Sequence, residues 1–113
     1  MNKDPNIIID QIWLHINHIE TYTQNLSKQQ FLTDTKTQDA IIRKIEIIGE
    51  AAKRLPQHFK NQNLNINWKR ITGMRDVLIH DYFEMSLDII WNTAITDIPK
   101  LKKAISQIIK SSS

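Results

Sequence analysis

Apolar residues recur every three or four positions along most of this 113-residue chain. That period places them on one face of an α-helix, whereas a half-buried strand would alternate apolar and polar residues. The chain has only two Gly and three Pro, too few for the connections of a sandwich or barrel of short strands. A chain of this length buries one hydrophobic core. We therefore expect an all-α fold in a single domain spanning residues 1–113.

The first half of the chain predicts two long helices that pack antiparallel. The first covers residues 6–22, with Asp4 as its N-cap. The second carries an apolar stripe over residues 40–55 and ends before Pro56, because a residue that precedes proline disfavours the α conformation. Between them, Ser27 and Gln30 have the spacing of a capping box and predict a short helical turn.

The second half predicts two more helices. Residues 56–67 are polar and predict a loop with one helical turn around 57–60, and residues 67–80 have the period of a third helix. After a break at residues 81–85, Ser86 can cap a fourth helix that continues to Ile108. Pro99 lies inside this helix and predicts a kink or a split. Residues from about 110 are expected to form a frayed tail. The predicted fold is a bundle of four main helices.

Composition excludes several kinds of chemistry. The chain has no cysteine, which rules out disulfides, thiol nucleophiles and cysteine-ligated metal sites. No apolar run approaches the length of a membrane span, and the N-terminus lacks the pattern of a signal peptide, so we expect a cytoplasmic protein. A formal net charge of +3 is compatible with a polyanionic partner but does not by itself identify one.

Arg75 is the unusual residue of the third predicted helix. It lies about 40° around the axis from Ile71 and about 60° from Leu78, at the edge of the apolar stripe. Burying an unpaired guanidinium is costly. Arg75 therefore reaches the solvent at the rim, pairs with an acid such as Asp76 or Glu50, or lines a polar cleft.

His80 and Tyr82 follow Arg75 closely. On one unbroken helix His80 would point about 140° away from Arg75, so the two side chains meet only if the helix unwinds near His80 or a two-fold dimer brings them together, and we favour the dimer. Taken singly, His80 could be a helix C-terminal group and Tyr82 a packing aromatic. Together the three supply a general acid or base, a fixed positive charge and a hydroxyl, which suit phosphodiester chemistry.

These residues carry a family resemblance that spans nearly the whole chain. The segment from Trp68 to Phe83, together with residues 48–53 (IGEAAK) and 88–91 (DIIW), resembles the HepT-like family of the HEPN superfamily. The core of the resemblance is an R-x4-H-x-Y pattern, matched by Arg75, His80 and Tyr82, with a polar Asp76 after the arginine.

The resemblance implies a metal-independent endoribonuclease toxin that needs no cofactor. It implies a homodimer, alone or within a larger hetero-oligomer, in which Arg75 and His80 form a composite catalytic site in the cleft between protomers. Asp76 would support that site, although it could equally be a solvated helix residue. The resemblance also implies a partner antitoxin, an MntA-like nucleotidyltransferase that transfers AMP from ATP to Tyr82 and so blocks the site.

Other interpretations carry less weight. A non-catalytic dimeric helical module could bind a nucleotidyltransferase or a nucleotide with the same Arg and His. A DNA-binding regulator is less favoured because no strongly basic recognition helix is evident. His15 and His18 lie three residues apart and could share a metal ion, but no third ligand is evident, so a packing or solvated role is favoured.

Overall fold

The computed structural model describes residues 4–81 and 87–112, except for the side chains of residues 75–81 and 112. Those two ranges are helical and contain no strand. Their elements are α1 (Pro5–Thr23), α2 (Lys28–Leu32), α3 (Thr35–Arg54), α4 (Gln57–Asn61), α5 (Trp68–Asp81), α6 (Leu87–Asn92), a π-helical turn (Thr93–Asp97) and α7 (Ile98–Ser112). The predicted all-α fold is confirmed.

Polar caps fix where the helices of the first half begin. Asp4 accepts the backbone N–H of Asn6 at 2.9 Å, and Ser27 and Gln30 form the predicted capping box with both hydrogen bonds present. Asp34 caps α3 by accepting the N–H of Thr37 at 3.0 Å. Helix α3 therefore begins five residues before the predicted stripe, because its first turn is polar and contributes nothing to an apolar period.

The core is built mainly from isoleucines of α1, α3 and α7. Arg54 at the end of α3 donates to Gln11 near the start of α1 at 3.0 Å, so these two helices run antiparallel as expected. The large side chains with under 2% of their surface exposed are Phe31, Ile9, Ile12, Ile16, Ile19, Ile41, Ile45, Ile48 and Ile105. Among the described helices, none combines the length and the apolar character that crossing a membrane requires.

The predicted interruption near Pro99 takes the form of a π-helical turn. The backbone N–H of Ile98 donates to Thr93 O, a bond that spans five residues instead of four. Pro99 follows as the second residue of α7, where its missing N–H and its ring would otherwise disturb the preceding α-helical turn. Helix α7 continues to Ser112, past the point where the sequence predicts a frayed tail to begin.

Helix α5 is anchored at its N-terminal end. Asn67 Oδ1 accepts the backbone N–H of Arg70, and Trp68 Nε1 donates to Asn63 O, each at 3.0 Å. The Trp68 ring also packs near Phe59 of α4, with 6.4 Å between ring centroids. The helix continues to Asp81, one residue beyond its predicted end. The rest of the predicted break and the Ser86 cap lie outside the described residues.

Candidate functional site

Helix α5 carries three of the four predicted site residues on one continuous backbone. It is unbroken from Trp68 to Asp81 and therefore includes Arg75, Asp76 and His80. At about 100° per residue, positions 75 and 80 are about 140° apart around the axis. The described backbone is helical through Asp81, so unwinding at His80 itself, the first of the two predicted ways of bringing Arg75 and His80 together, is wrong.

The side chains of these site residues lie outside the part of the chain that the structure describes, and so does Tyr82 as a whole. Their roles, and the pairing of Arg75 with Asp76 or Glu50, stay predictions. The described residues before them show the setting of the helix: Trp68 and Ile71 are buried, and Met74 is half-buried against the core. Position 75 therefore follows a buried residue by one helical turn, as the spacing predicts.

A groove of about 470 Å³ lies between α5 and the C-terminal helical segment. We call it the α5–α7 groove. Its lining combines apolar side chains with amides, a hydroxyl and three charged groups: Asn65, Ile66, Asn67, Arg70, Ile71, Met74, Asn92, Thr96, Asp97, Ile98, Lys100, Leu101 and Ala104. Ile71, Ile98 and Leu101 are buried, so the floor of the groove is apolar. The volume is within the range of about 300–1,000 Å³ that is usual for small-molecule sites.

An ion pair joins the two sides of the groove. Arg70 of α5 donates from Nη2 to Asp97 Oδ2 in the π-helical turn at 2.9 Å. The Arg70 side chain is 61% exposed and that of Asp97 is 20% exposed. Lys100 adds a second exposed cation on α7. The two cations outnumber the single carboxylate, so the groove lining carries a net positive charge.

His15 and His18 form a separate pair on α1. Their rings meet edge to face at 5.5 Å, and the buried Nδ1 atom of each has no hydrogen-bond partner among the described residues. Burial lowers the pKa of His15 below its usual value, and the nearby Lys44, His18 and Arg43 lower it further. No cluster of three or more potential metal ligands occurs among the residues described.

The α5–α7 groove is the feature that sequence reasoning missed. Its amides come from the loop before α5 and from α6, and its second cation comes from α7. Helical periodicity identifies the side chains that face a core, but it does not show where two neighbouring helices leave a gap. The only signal in the sequence was the high proportion of asparagine over residues 61–67, since each amide side chain offers both hydrogen-bond donors and an acceptor.

Comparison with protein families gives a match over most of the chain. Residues 12–108 match the family model described as "Ribonuclease HepT-like". The match includes the whole of α5 and all the residues that line the α5–α7 groove.

Similar proteins come from archaea and bacteria. "Probable ribonuclease HepT" of Thermococcus cleftensis is 39% identical over 110 residues, which are 97% of this chain and 100% of that protein. A protein of Caldanaerobacter subterraneus named "Putative RNase" is 36% identical over 108 residues, 96% of each chain.

A longer relative matches this chain over half of its own length. "Gamma-glutamylcyclotransferase and putative RNase" of Methanocaldococcus jannaschii is 44% identical over 110 residues, 97% of this chain, and this chain spans half the length of that protein. No solved structure gives a significant match to the chain.

Proposed function

The chain belongs to the HepT-like ribonuclease family, and we propose that it is a metal-independent endoribonuclease that uses Arg75 and His80 as its catalytic pair. The relatives named as ribonucleases align with almost the whole chain, which supports RNA as the substrate. The observation that carries the proposal is the continuity of α5 through both positions.

Continuity of α5 favours a composite site in a homodimer. Two positions about 140° apart on one straight helix do not converge on a single phosphate. A two-fold axis beside α5 would bring Arg75 of one protomer toward His80 of the other, and would do so twice in each dimer. The proposed active site is therefore the cleft between two copies of α5.

The chemistry assigns one task to each residue. His80 takes the proton from a ribose 2′-hydroxyl, or gives a proton to the leaving 5′-oxygen, as the 2′-oxygen attacks phosphorus and the P–O5′ bond breaks. Arg75 holds the phosphate and stabilises the charge that develops on its oxygens in the transition state. Asp76 orients Arg75. DNA lacks the attacking hydroxyl, so it is not a substrate.

Cleavage of RNA in the presence of EDTA tests the assignment. We expect wild-type protein to cleave RNA, and His80→Ala and Arg75→Ala each to lose about 10²–10³-fold in rate, the usual effect of removing one acid–base or charge-stabilising group. Thermal unfolding of each variant controls for misfolding. Equal rates in His80→Ala and wild type would disprove the catalytic role, and RNA binding without cleavage by wild type would identify the non-catalytic module instead.

Mixing the two inactive variants tests whether the site is shared between protomers. A heterodimer of Arg75→Ala with His80→Ala contains one site that lacks both groups and one site that has both. Activity should therefore reappear after the variants are mixed and allowed to exchange subunits. If each site were built within one protomer, every site in the heterodimer would lack one group and the mixture would stay inactive.

Tyr82 is the proposed point of regulation. We propose that the protein is a toxin that acts on RNA in the cytoplasm and that a cognate nucleotidyltransferase antitoxin inactivates it by transferring AMP from ATP to the Tyr82 hydroxyl, with release of pyrophosphate. Each AMP adds a phosphate charge and bulk beside the RNA site. Coexpression followed by mass spectrometry should show an AMP adduct on the Tyr82 peptide of wild type and none in Tyr82→Phe.

A growth assay tests the toxicity of the protein and its control by the transferase together. Expression of wild type alone should arrest growth, and coexpression with the transferase should restore it. Tyr82→Phe should stay toxic in both cases, because it lacks the hydroxyl that accepts AMP. Harmless expression of wild type without the transferase would contradict the toxin assignment.

A further inference from the structure

We infer that the α5–α7 groove binds an unpaired nucleotide of the RNA substrate, next to the phosphate that is cut. This inference rests on the proposed ribonuclease function and adds a substrate-binding subsite to it. It also implies that the substrate is single-stranded where it crosses α5, because a paired and stacked base cannot enter a groove between two helices.

The lining of the groove matches the chemistry of a nucleotide. An apolar floor that includes Ile71 and Ile98 can cover the faces of a base, and the exposed Arg70 guanidinium offers a flat surface for stacking. The amide groups of Asn65 and Asn92 carry both donors and acceptors, which complement the edges of an unpaired base.

Charge at the groove suits the sugar-phosphate chain. Lys100 stands on the exposed side of α7, and Arg70 extends from α5 toward Asp97. Asp97 accepts a hydrogen bond from Nη2 at the edge of the Arg70 guanidinium and so orients that side chain. A phosphate that follows the bound base would then lie within reach of two cations, as in grooves that follow a single strand.

Position along α5 links the groove to the proposed active site. Ile71 and Met74 line the groove, and position 75 lies one helical turn beyond Ile71 and about 40° around the axis from it. The rise of an α-helix is about 1.5 Å per residue, so the groove and the catalytic position follow each other within one or two helical turns. That separation corresponds to one or two nucleotides of an extended strand.

A second copy of the chain fits the groove less well. The centre of a protein interface is depleted in charged residues, whereas this groove contains an ion pair and a further lysine among its lining residues. The amides on both sides would each need a matched polar partner. RNA supplies such partners along its whole length.

Two lysines on α7 form a matched pair for the test. Lys100 lines the groove and Lys103 does not, and both are exposed on the same helix. Lys100→Glu and Lys103→Glu change the net charge equally, so they weaken long-range attraction to RNA to a similar extent. We expect Lys100→Glu to raise KM for a short single-stranded oligoribonucleotide by about tenfold with little change in kcat, and Lys103→Glu to raise it by about twofold or less. Equal KM values in the two variants would overturn the inference.

NMR of an inactive protein gives a measurement that does not depend on cleavage. His80→Ala is titrated with an intact six-nucleotide single-stranded RNA, and the side-chain amide signals of Asn65, Asn67 and Asn92 are followed. Asn25 and Gln29, which do not line the groove, are the reference signals. Shifts confined to the groove amides support the subsite. If RNA binds without shifting any of the groove amide signals, the subsite is rejected and the ribonuclease proposal is unaffected. If wild type fails to cleave RNA, the ribonuclease proposal is rejected, and the NMR shifts still report whether RNA binds in the groove.

Light scattering without RNA tests for the second copy. Lys100→Glu and Lys103→Glu should have the oligomeric state of the wild type. If Lys100→Glu alone changes that state, the groove is an interface between copies and the inference is wrong.

Discussion

Helices α1 and α5 differ in the surfaces that their described side chains contact. Helix α1 buries five isoleucines, each with 4% or less of its surface exposed. Among the α5 side chains that the structure describes, those of residues 68–74, Trp68 and Ile71 are buried, and Arg70, Ile71 and Met74 line the α5–α7 groove. Helix α1 therefore serves mainly to fill the core, while the described part of α5 divides its side chains between the core and the groove.

The largest expected effect is the loss of stability when a buried isoleucine of α1 is truncated. Ile16→Ala should lower the free energy of unfolding by about 2–5 kcal/mol, because Ile16 is fully buried and its removal leaves a cavity. Ile7→Ala on the same helix is the control, since Ile7 is 60% exposed and should change stability by about 0.5 kcal/mol or less. Urea unfolding measures both. Similar losses in the two variants would contradict the packing of α1.

The next effect concerns the anchor of α5. Trp68→Phe keeps a ring near Phe59 but removes the donor to Asn63 O, so it should cost about 1–3 kcal/mol. Trp13→Phe on α1 is the matched change, and there the indole lies under Lys102 Nζ at 5.6 Å from the ring centroid. Trp13→Phe should cost about 1 kcal/mol or less, because a cation above phenylalanine keeps part of its attraction. If Trp13→Phe lowers the free energy of unfolding more than Trp68→Phe does, the Trp68 indole does not anchor α5.

Surface ion pairs on the two helices should matter less. Asp97→Asn weakens the pair with Arg70 of α5, and Glu20→Gln weakens the pair that Lys102 makes with α1 at 2.7 Å. Each variant should lose about 1 kcal/mol or less, because both pairs are partly exposed and screened by salt. Thermal unfolding in low salt and in 1 M salt measures the difference, which should shrink at high salt. A loss of several kcal/mol in Asp97→Asn would mean that the ion pair, and not Trp68, holds α5 in place.

The smallest effect is a pH dependence on α1. Burial lowers the pKa of His15 below its usual value of 6.5, so below that pH the unfolded chain binds more protons than the folded one. Stability is then steady above about pH 6.5 and falls as the pH is lowered through the region beneath it. His15→Asn should make the fall in unfolding free energy between pH 7 and pH 5 smaller, whereas His58→Asn, at an exposed position of α4, serves as the control. An unchanged pH profile in His15→Asn would show that His15 does not cause the fall.

Much of the fold could be predicted because local rules decide it. Asp4, the Ser27–Gln30 capping box and the end of α3 before Pro56 all follow from neighbours in sequence, and the structure confirms each of them. The start of α3 was missed because its first turn faces solvent and has no apolar residue to mark it.

One part of the candidate site could also be predicted from the sequence, and another part could not. The spacing of Arg75 and His80 on one helix could be read from the sequence, and α5 is continuous through both positions. The α5–α7 groove could not, because it joins Asn65, Asn92 and Lys100 from parts of the chain that meet only after the helices pack. The period of apolar residues indicates which face of a single helix is buried, whereas the position of a groove depends on how two helices pack.

The π-helical turn at Thr93–Asp97 bears on which changes in chain length the protein tolerates. Such a turn equals one residue inserted into an α-helix. Deleting one residue there, with Pro99 also replaced, would restore a regular helix and leave α6 and α7 facing their present neighbours. Helix α1 has no π-helical turn that could absorb a deletion. Deleting one residue in its middle would rotate the following turns by about 100° and expose buried isoleucines to solvent. The C-terminal segment can therefore lose a residue at this point without losing its register, which α1 cannot do.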